Sequence, residues 1–575
     1  MSVLFHGRTV KGWVLGPAAE VPEGRLLRVR KVHSAVRFFD PKMLRLLRWV
    51  SERYIAALAT VIERSYPPRV VSEERVGSSG GGLPAYAPPP LPATHEPSSP
   101  ALSVLTSYGG EGLLQAGTTT WLRPLPDDEQ AVCVDAVTAC LARGKQAVVL
   151  VPEAEPLPAT AGLVLEAFGE RAVAFLGGEP RERYRTWLRI LDGGFDVVVG
   201  TRPAVFAPLD QLGLIWISRE VHPGHREDRS PYYHVREVAM ARARLDQAAC
   251  VLASLCPSVE TVAAAATGTI GVARPPRQAE RAAAPFVETA LPEAEDRSTR
   301  LTTLLKRSRG AAVIVSRRGY GVARVCRSCG ESAACAVCRG PIVVERGTPA
   351  CRVCGAAGAC LNCGGNSFGV ERGGTERVAE WAGRTAGVPV HLEAAGQTPS
   401  PLPDLGSVLV ATAAAVKDVG ALRLDLVAVV DPDRALRRAG VHSGEQALAT
   451  WMEAAAWAGP RSAGGRVLLH TRHPSHPAIQ ALIRWEPVPF LTAQARARAE
   501  AGFVPGFPVF RIFGSEALEQ ALEGAGASTI LSTSVPKGTL CLVTVPPDGL
   551  ARFRDEILRL ASGGSVTRVE AEPQL

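Results

Sequence analysis

Nine short, almost wholly apolar runs constrain this chain more than any other feature. Five come first: AVVLVP (147–152), AVAFL (172–176), DVVVGT (196–201), LIWIS (214–218) and CVLAS (250–254). Four follow: AAVIVS (311–316), SVLVAT (407–412), LVAVVD (426–431) and RVLLHT (466–471). A strand that is apolar on both faces must be covered on both, and helical stretches separate these runs, so each set predicts a parallel sheet sandwiched by helices. The chain reads as two successive α/β lobes joined by a Pro/Ala-rich connection near 262–300.

The flanks read differently. From Val3 to Val14 apolar and polar residues alternate, and Met43 to Ile62 gives an amphipathic helix, so a small β plus α unit is expected first. Between Ser72 and Pro100 the composition collapses into Gly, Pro and Ser, which reads as a linker. From Gly502 a compact α+β ending is expected. No run reaches the ~20 apolar residues of a membrane helix, and MSVLFHGRTV lacks the halves of a secretory leader, so a cytoplasmic, nucleoid-associated location and no membrane partner are expected. The 64 Lys and Arg against 56 Asp and Glu leave +8, a balance that permits a nucleic-acid partner.

Thiols stay reduced in such a compartment, so clustered cysteines read as metal ligands before they read as disulfides. Four CxxC pairs follow one another: Cys326/Cys329, Cys335/Cys338, Cys351/Cys354 and Cys360/Cys363. A CxxC turn presents two thiolates to one tetrahedral ion at ~2.3 Å. The central gap suits a hairpin, which makes one site of the inner pairs (Cys335, Cys338, Cys351, Cys354) and one of the outer pairs (Cys326, Cys329, Cys360, Cys363). Two structural zinc ions are therefore expected; a redox CxxC, a disulfide set and an iron–sulfur centre are the alternatives. Cys133, Cys140, Cys250, Cys256 and Cys541 stand alone in apolar contexts and read as small buried hydrophobes.

SRRGY (316–320), the four CxxC pairs and GGTERVAE (373–380) follow one another in an order that resembles the PriA family of primosomal, replication restart helicases. The resemblance is colinear through GKQAVVLVPE (144–153), GTRPAVFAP (200–208), YYHVREVA (232–239), DPDRAL (431–436), HTRHPSHP (470–477) and VTRVEAEP (566–573). It implies two RecA-like lobes at 102–270 and at 285–325 with 365–495, a two-zinc module at 326–364 inserted in the second, and a C-terminal domain at 500–575. It also implies a 3′-end-binding-like N-terminal domain at 1–72, entered partway, and places a 73–101 linker where the family has a winged helix. The nested cysteine pairing is implied as well, as are forked or single-stranded DNA, primosome and helicase-loading proteins, and single-stranded DNA-binding protein as partners.

The motor motifs depart from that pattern. A phosphate loop needs backbone amides, a Lys and a Ser/Thr, and no GxxGxGK[ST] occurs. Counting back from GKQAVVLVPE puts the loop at Arg123 to Gln130, with Glu129 where the Lys belongs and Asp127 and Asp128 beside it. The DEEH acids are replaced by Ser218, Arg219, Glu220 and Val221, and the arginine fingers by Trp457 and Pro460. An arginine finger is worth ~10³ to 10⁵ in rate, so three losses in one direction predict a helicase-like protein without ATPase activity and with no catalytic or nucleotide-binding residues. ATP with Mg²⁺ remains the family's cofactor; Arg461 or Lys145 would have to substitute. The alternatives are a working 3′ to 5′ helicase and a zinc-ribbon nucleic-acid-binding protein outside replication.

Two weaker signals remain. His470, His473 and His476 are spaced like ligands but follow a strand and alternate with Pro, which favours a structural turn. Arg202, Arg236, Arg317 and Arg318 are candidate contacts to a DNA backbone.

Overall fold

The computed structural model describes residues 1–17, 26–78, 104–293, 298–315, 324–329, 333–337, 342–345, 348–370, 374–393, 406–436, 440–535 and 538–573. All nine apolar runs are strands, and they lie in two parallel sheets. The first has the order 271–273, 119–122, 249–253, 212–218, 146–150, 197–200, 172–175; the second runs 286–290, 466–470, 426–430, 311–315, 408–412, 390–393. Every pairing within both is parallel. Val197–Gly200 and Leu426–Val430 are buried along their whole length, as strands covered on both faces must be.

Three expectations change. The 262–300 connection holds two strands, Gly271–Ala273 and Phe286–Ala290, which were hidden because both are edge strands near prolines, the first only three residues long and the second carrying Glu288 and Thr289. The helix read from Met43 to Ile62 is two, Pro41–Arg53 and Leu58–Arg64. Between them Ile55 takes a φ of 48°, and this turn buries both Tyr54 and Ile55. The start of the presumed linker is a helix, Val71–Ser78, whose Glu73 pairs with Arg181 and Arg185 on Pro180–Leu191; residues 79–103 lie outside the described set.

Thr119–Leu122 is a further strand without a sequence signal, too short and too rich in Thr to stand out. It places the turn that a nucleotide would use. The N-terminal strands Ser2–Phe5, Arg8–Lys11 and Val29–Lys31 form an antiparallel sheet. Leu46, Leu47 and Val50 from the following helix share a core with the first lobe and with Phe510, Ile512 and Phe553 of the C-terminal unit, which adds its own four-stranded sheet. The two lobes also share a core: Cys256, Val259 and Val262 pack with Trp451, Trp485 and Leu491.

Candidate functional site

The cysteine module leaves the second lobe after Ala311–Val315 and returns to it at Gly374–Ala386. Antiparallel strands Arg324–Cys326 and Phe368–Val370 close its base, and the hairpin of Ile342–Glu345 with Thr348–Cys351 forms its tip. This nesting brings the sulfurs of Cys326, Cys329, Cys360 and Cys363 within 4.8 Å of one another, and those of Cys335, Cys351 and Cys354 likewise; Cys338 lies outside the described residues.

Sγ–Sγ separations are 3.5 Å for Cys326 to Cys363, 3.5 Å for Cys329 to Cys360 and 3.6 Å for Cys335 to Cys354. A disulfide needs ~2.05 Å, whereas four sulfurs ~2.3 Å from one tetrahedral ion lie ~3.8 Å apart. Either cluster could therefore hold a metal ion. Burial pushes the Cys326 thiol up, yet the amides of Cys329 and Ser328 and the thiols of Cys363 and Cys360 outweigh it and bring it to about 6, favouring the thiolate a metal requires. The module rests on the C-terminal sheet through Phe513, Leu531, Val535 and Leu540.

The expected phosphate loop does lie between a strand and a helix, Thr119–Leu122 and Glu129–Ala142. Four of its backbone positions offer no free amide. Pro124 and Pro126 carry no N–H, the amide of Leu125 donates to the Tyr108 hydroxyl (2.9 Å), and the amide of Asp128 donates to the Leu125 carbonyl (3.1 Å). Arg123 is turned away and buried, with Nη1 3.1 Å from Glu280 and Nη2 donating to the Trp485 carbonyl. The space left is about 30 Å³, lined by Glu129, Arg219, Lys417, Asp418, Glu453 and Trp457 among others. That admits a water or two, against ~300–1,000 Å³ for an ordinary ligand pocket.

Glu129 sits in the first turn of its helix, where the dipole favours an anion. Burial, and then the carboxylates of Asp418 and Glu453, push it up to about 8, although Ser218 Oγ donates to it at 2.5 Å. Arg219 is buried with Nε 3.3 Å from Glu453 and Nη1 3.4 Å from Glu153, and donates from Nη2 to the Val416 carbonyl at 2.9 Å. Glu220 faces elsewhere, paired with Arg236 at 3.1 Å and accepting from the Ser258 amide at 2.6 Å.

Neither candidate substitute reaches this cleft. The Arg461 guanidinium lies over the Phe286 ring, 4.7 Å from its centre, and Lys145 Nζ donates to Gln211 at 2.9 Å. Trp457 lines the cleft as a buried apolar wall. Asp418, Glu153 and Lys417 were not visible as site residues from sequence, because nothing local marks them; five separate segments, around Glu129, Glu153, Arg219, Asp418 and Glu453, meet here.

The remaining candidates resolve as structure. His470 ends a strand in the core, the His476 ring accepts from the Ala478 amide as a helix cap, and among the described residues no histidine joins a metal-ligating cluster. Arg236 is buried among Glu220, Glu237 and Glu260, which removes it as a DNA contact; Arg202 is half-buried and donates to the Arg226 carbonyl. Arg317 and Arg318 lie outside the described residues. The lone cysteines are buried, which pushes the Cys140 and Cys250 thiols up to about 12.

A larger groove, about 1260 Å³, runs between the segment Lys31–Met43 and helix Pro180–Leu191, with Lys31, Arg37, Phe39 and Lys42 on its wall. Residues 1–67 hold twelve Lys and Arg against five Asp and Glu, +7 of the chain's +8. No helix among the described residues is long and apolar enough to cross a membrane.

Residues 1–67 match the family described as 3′DNA-binding domain (3′BD). A probable replication restart protein PriA of Mycobacterium tuberculosis is 30% identical over 547 residues, covering 90% of this chain and 82% of that relative. The replication restart protein PriA of Treponema pallidum is 28% identical over 93% of this chain and 85% of that protein. Among solved structures, RecG bound to a three-way DNA junction covers 79% of this chain and 52% of that one at 13% identity and a TM-score of 0.39, too slight a likeness to argue from.

Proposed function

Because the chain belongs to the family of the replication restart protein PriA, we propose that it binds forked or single-stranded DNA and serves as a scaffold on which the replicative helicase is reloaded, without hydrolysing ATP. The observation that carries this reading is the contrast within one molecule: cysteine clusters keep ligand geometry, while the nucleotide position keeps a 30 Å³ gap walled by carboxylates. Phosphoryl transfer depends on positioned cations and amides around the phosphates, and here prolines, Glu129 and Trp457 stand in those places.

DNA binding is supported by the 3′BD match and by the concentration of positive charge in those same residues. The metal in each cluster is read as zinc, because an all-thiolate, closed tetrahedral set suits it and leaves no position for substrate. Its role is then structural: it holds the module against the C-terminal sheet, where DNA or helicase-loading partners can dock.

DNA-stimulated ATP hydrolysis by the purified protein, beside a Glu129→Lys variant, tests the first half. No turnover is expected from either, and a rate of about one per second, ordinary for an enzyme, would overturn the reading. Binding to forked and linear duplexes across a salt series tests the second half. A preference for forks and a steep loss of affinity with salt are expected; equal, salt-insensitive binding argues against the scaffold.

A further inference from the structure

We propose that the chain itself supplies the latch that fixes the two lobes, centred on Arg219 in the place where a nucleotide would otherwise draw them together. This rests on the reading that ATP no longer drives the lobes and adds to it a mechanical consequence: the lobes form a fixed frame.

Arg219 follows directly on strand Leu212–Ser218 with a φ of 51°, a left-handed backbone that costs a residue with a Cβ roughly 1–2 kcal/mol. Such strain persists where the surroundings over-determine the conformation. Here three partners fix the guanidinium, and two of them, Glu453 and the Val416 carbonyl, belong to the second lobe. The return contacts come from the next two residues of that lobe. Lys417 Nζ donates to the Glu155 carbonyl at 2.8 Å and lies 3.6 Å from Glu153. Asp418 accepts from Gln130 Nε2 at 3.0 Å and from the Thr160 amide at 2.9 Å, while its carbonyl accepts from the Ala159 amide at 3.0 Å.

A second knot lies on the far side of the shared core. Glu445 accepts from the Val259 amide at 2.8 Å and pairs with Arg498 at 2.8 Å, and Arg498 is 3.5 Å from Glu260 of the first lobe. Between the knots, Cys256, Val259 and Val262 are packed against Trp451, Trp485 and Leu491. Opening the lobes would therefore expose apolar surface and leave buried charges unpaired on both sides, two costs that act together. In a nucleotide-driven pair the bridging charge is a ligand that leaves. In this chain it is a side chain that stays.

The test is the interlobe distance in the full-length protein. Spin labels carried by unnatural amino acids at exposed Glu166 and Lys306 avoid the thirteen cysteines, and pulsed dipolar spectroscopy reads the distance distribution. One narrow distance is expected without ligand, with Mg-ATP and with forked DNA. Arg219→Met should lose that single distance and broaden the distribution. Glu453→Gln, which keeps volume and removes one arm, should broaden it less and decides the matter if Arg219→Met fails to fold. Two populations in the parent protein, a shift with Mg-ATP, or an unchanged distribution in both variants would overturn the latch. Hydrolysis and fork binding measured on the same labelled samples keep the readings apart: mobile lobes without hydrolysis defeat the latch alone, and hydrolysis with a fixed distance defeats the scaffold alone.

Discussion

The cysteine module and the interlobe cleft each crowd ionisable groups into a small volume, and they neutralise them from opposite sources. Between Cys326 and Cys363 the thiols are close in sequence and are grouped so that an ion from solution could hold them together. In the cleft Glu129, Glu153, Asp418 and Glu453 come from distant segments, and Arg219 and Lys417 supply the opposite charge within the fold. One cluster is therefore conditional on the medium. The other draws its countercharge from side chains of the fold itself, in part, since two cations face four carboxyl groups.

The comparison breaks most visibly if metal is removed. Structural zinc contributes apparent free energies of about 10–16 kcal/mol in isolated zinc-finger peptides, so chelation, or Cys360→Ser, should unfold the module and loosen the C-terminal sheet under it. Elemental analysis should give two zinc ions per chain before chelation and one in the variant. Unchanged thermal melting after complete metal loss would show the module to hold without an ion.

A smaller loss is expected in the cleft. Arg219→Met leaves Glu453 buried without its countercharge and Glu153 with Lys417 alone, and removing one partner of a buried pair costs about 3–5 kcal/mol. Urea unfolding checks it, and this loss should not depend on added zinc. A loss under 1 kcal/mol would mean that water already screens the pair.

Glu129→Gln sharpens the contrast by its sign. The folded carboxyl titrates at about 8 rather than its ordinary 4.5, because burial and the facing Asp418 and Glu453 outweigh Ser218 and Arg219. Between those values the folded state holds a proton that the unfolded chain releases, so stability falls as pH rises from about 4.5 to about 8 and levels off above. The neutral variant lacks this slope. Its advantage over the parent should be absent near pH 4 and grow to about 2 kcal/mol by pH 8, discounted from the ~1.4 kcal/mol per unit of an ideal shift. Unfolding curves at both pH values decide it.

The apolar runs needed no structure to be assigned, since a strand such as Val197–Gly200, apolar at every position, has few places other than the middle of a covered sheet. Edge strands such as Gly271–Ala273, short, largely exposed and followed by Pro275 and Pro276, carry no such mark. The acidic residues Asp127, Asp128 and Glu129 at the expected phosphate-loop position were legible too, because the motif is a matter of local spacing. What fills that place was not, because Asp418 lies 289 positions from Glu129 in the chain and nothing in either segment refers to the other.

The sequence by itself determined the two sheets, the pairs of thiols and the acidic residues at the expected phosphate-loop position, since each follows from residue types a few positions apart. Only the tertiary structure decided that Arg219, Glu453 and Lys417 meet, that Arg461 stacks on Phe286 instead of reaching the cleft, and that the two lobes share a core. Local chemistry is set by spacing along the chain. Charge balance in a buried volume is set by which distant segments the packing of the sheets brings together.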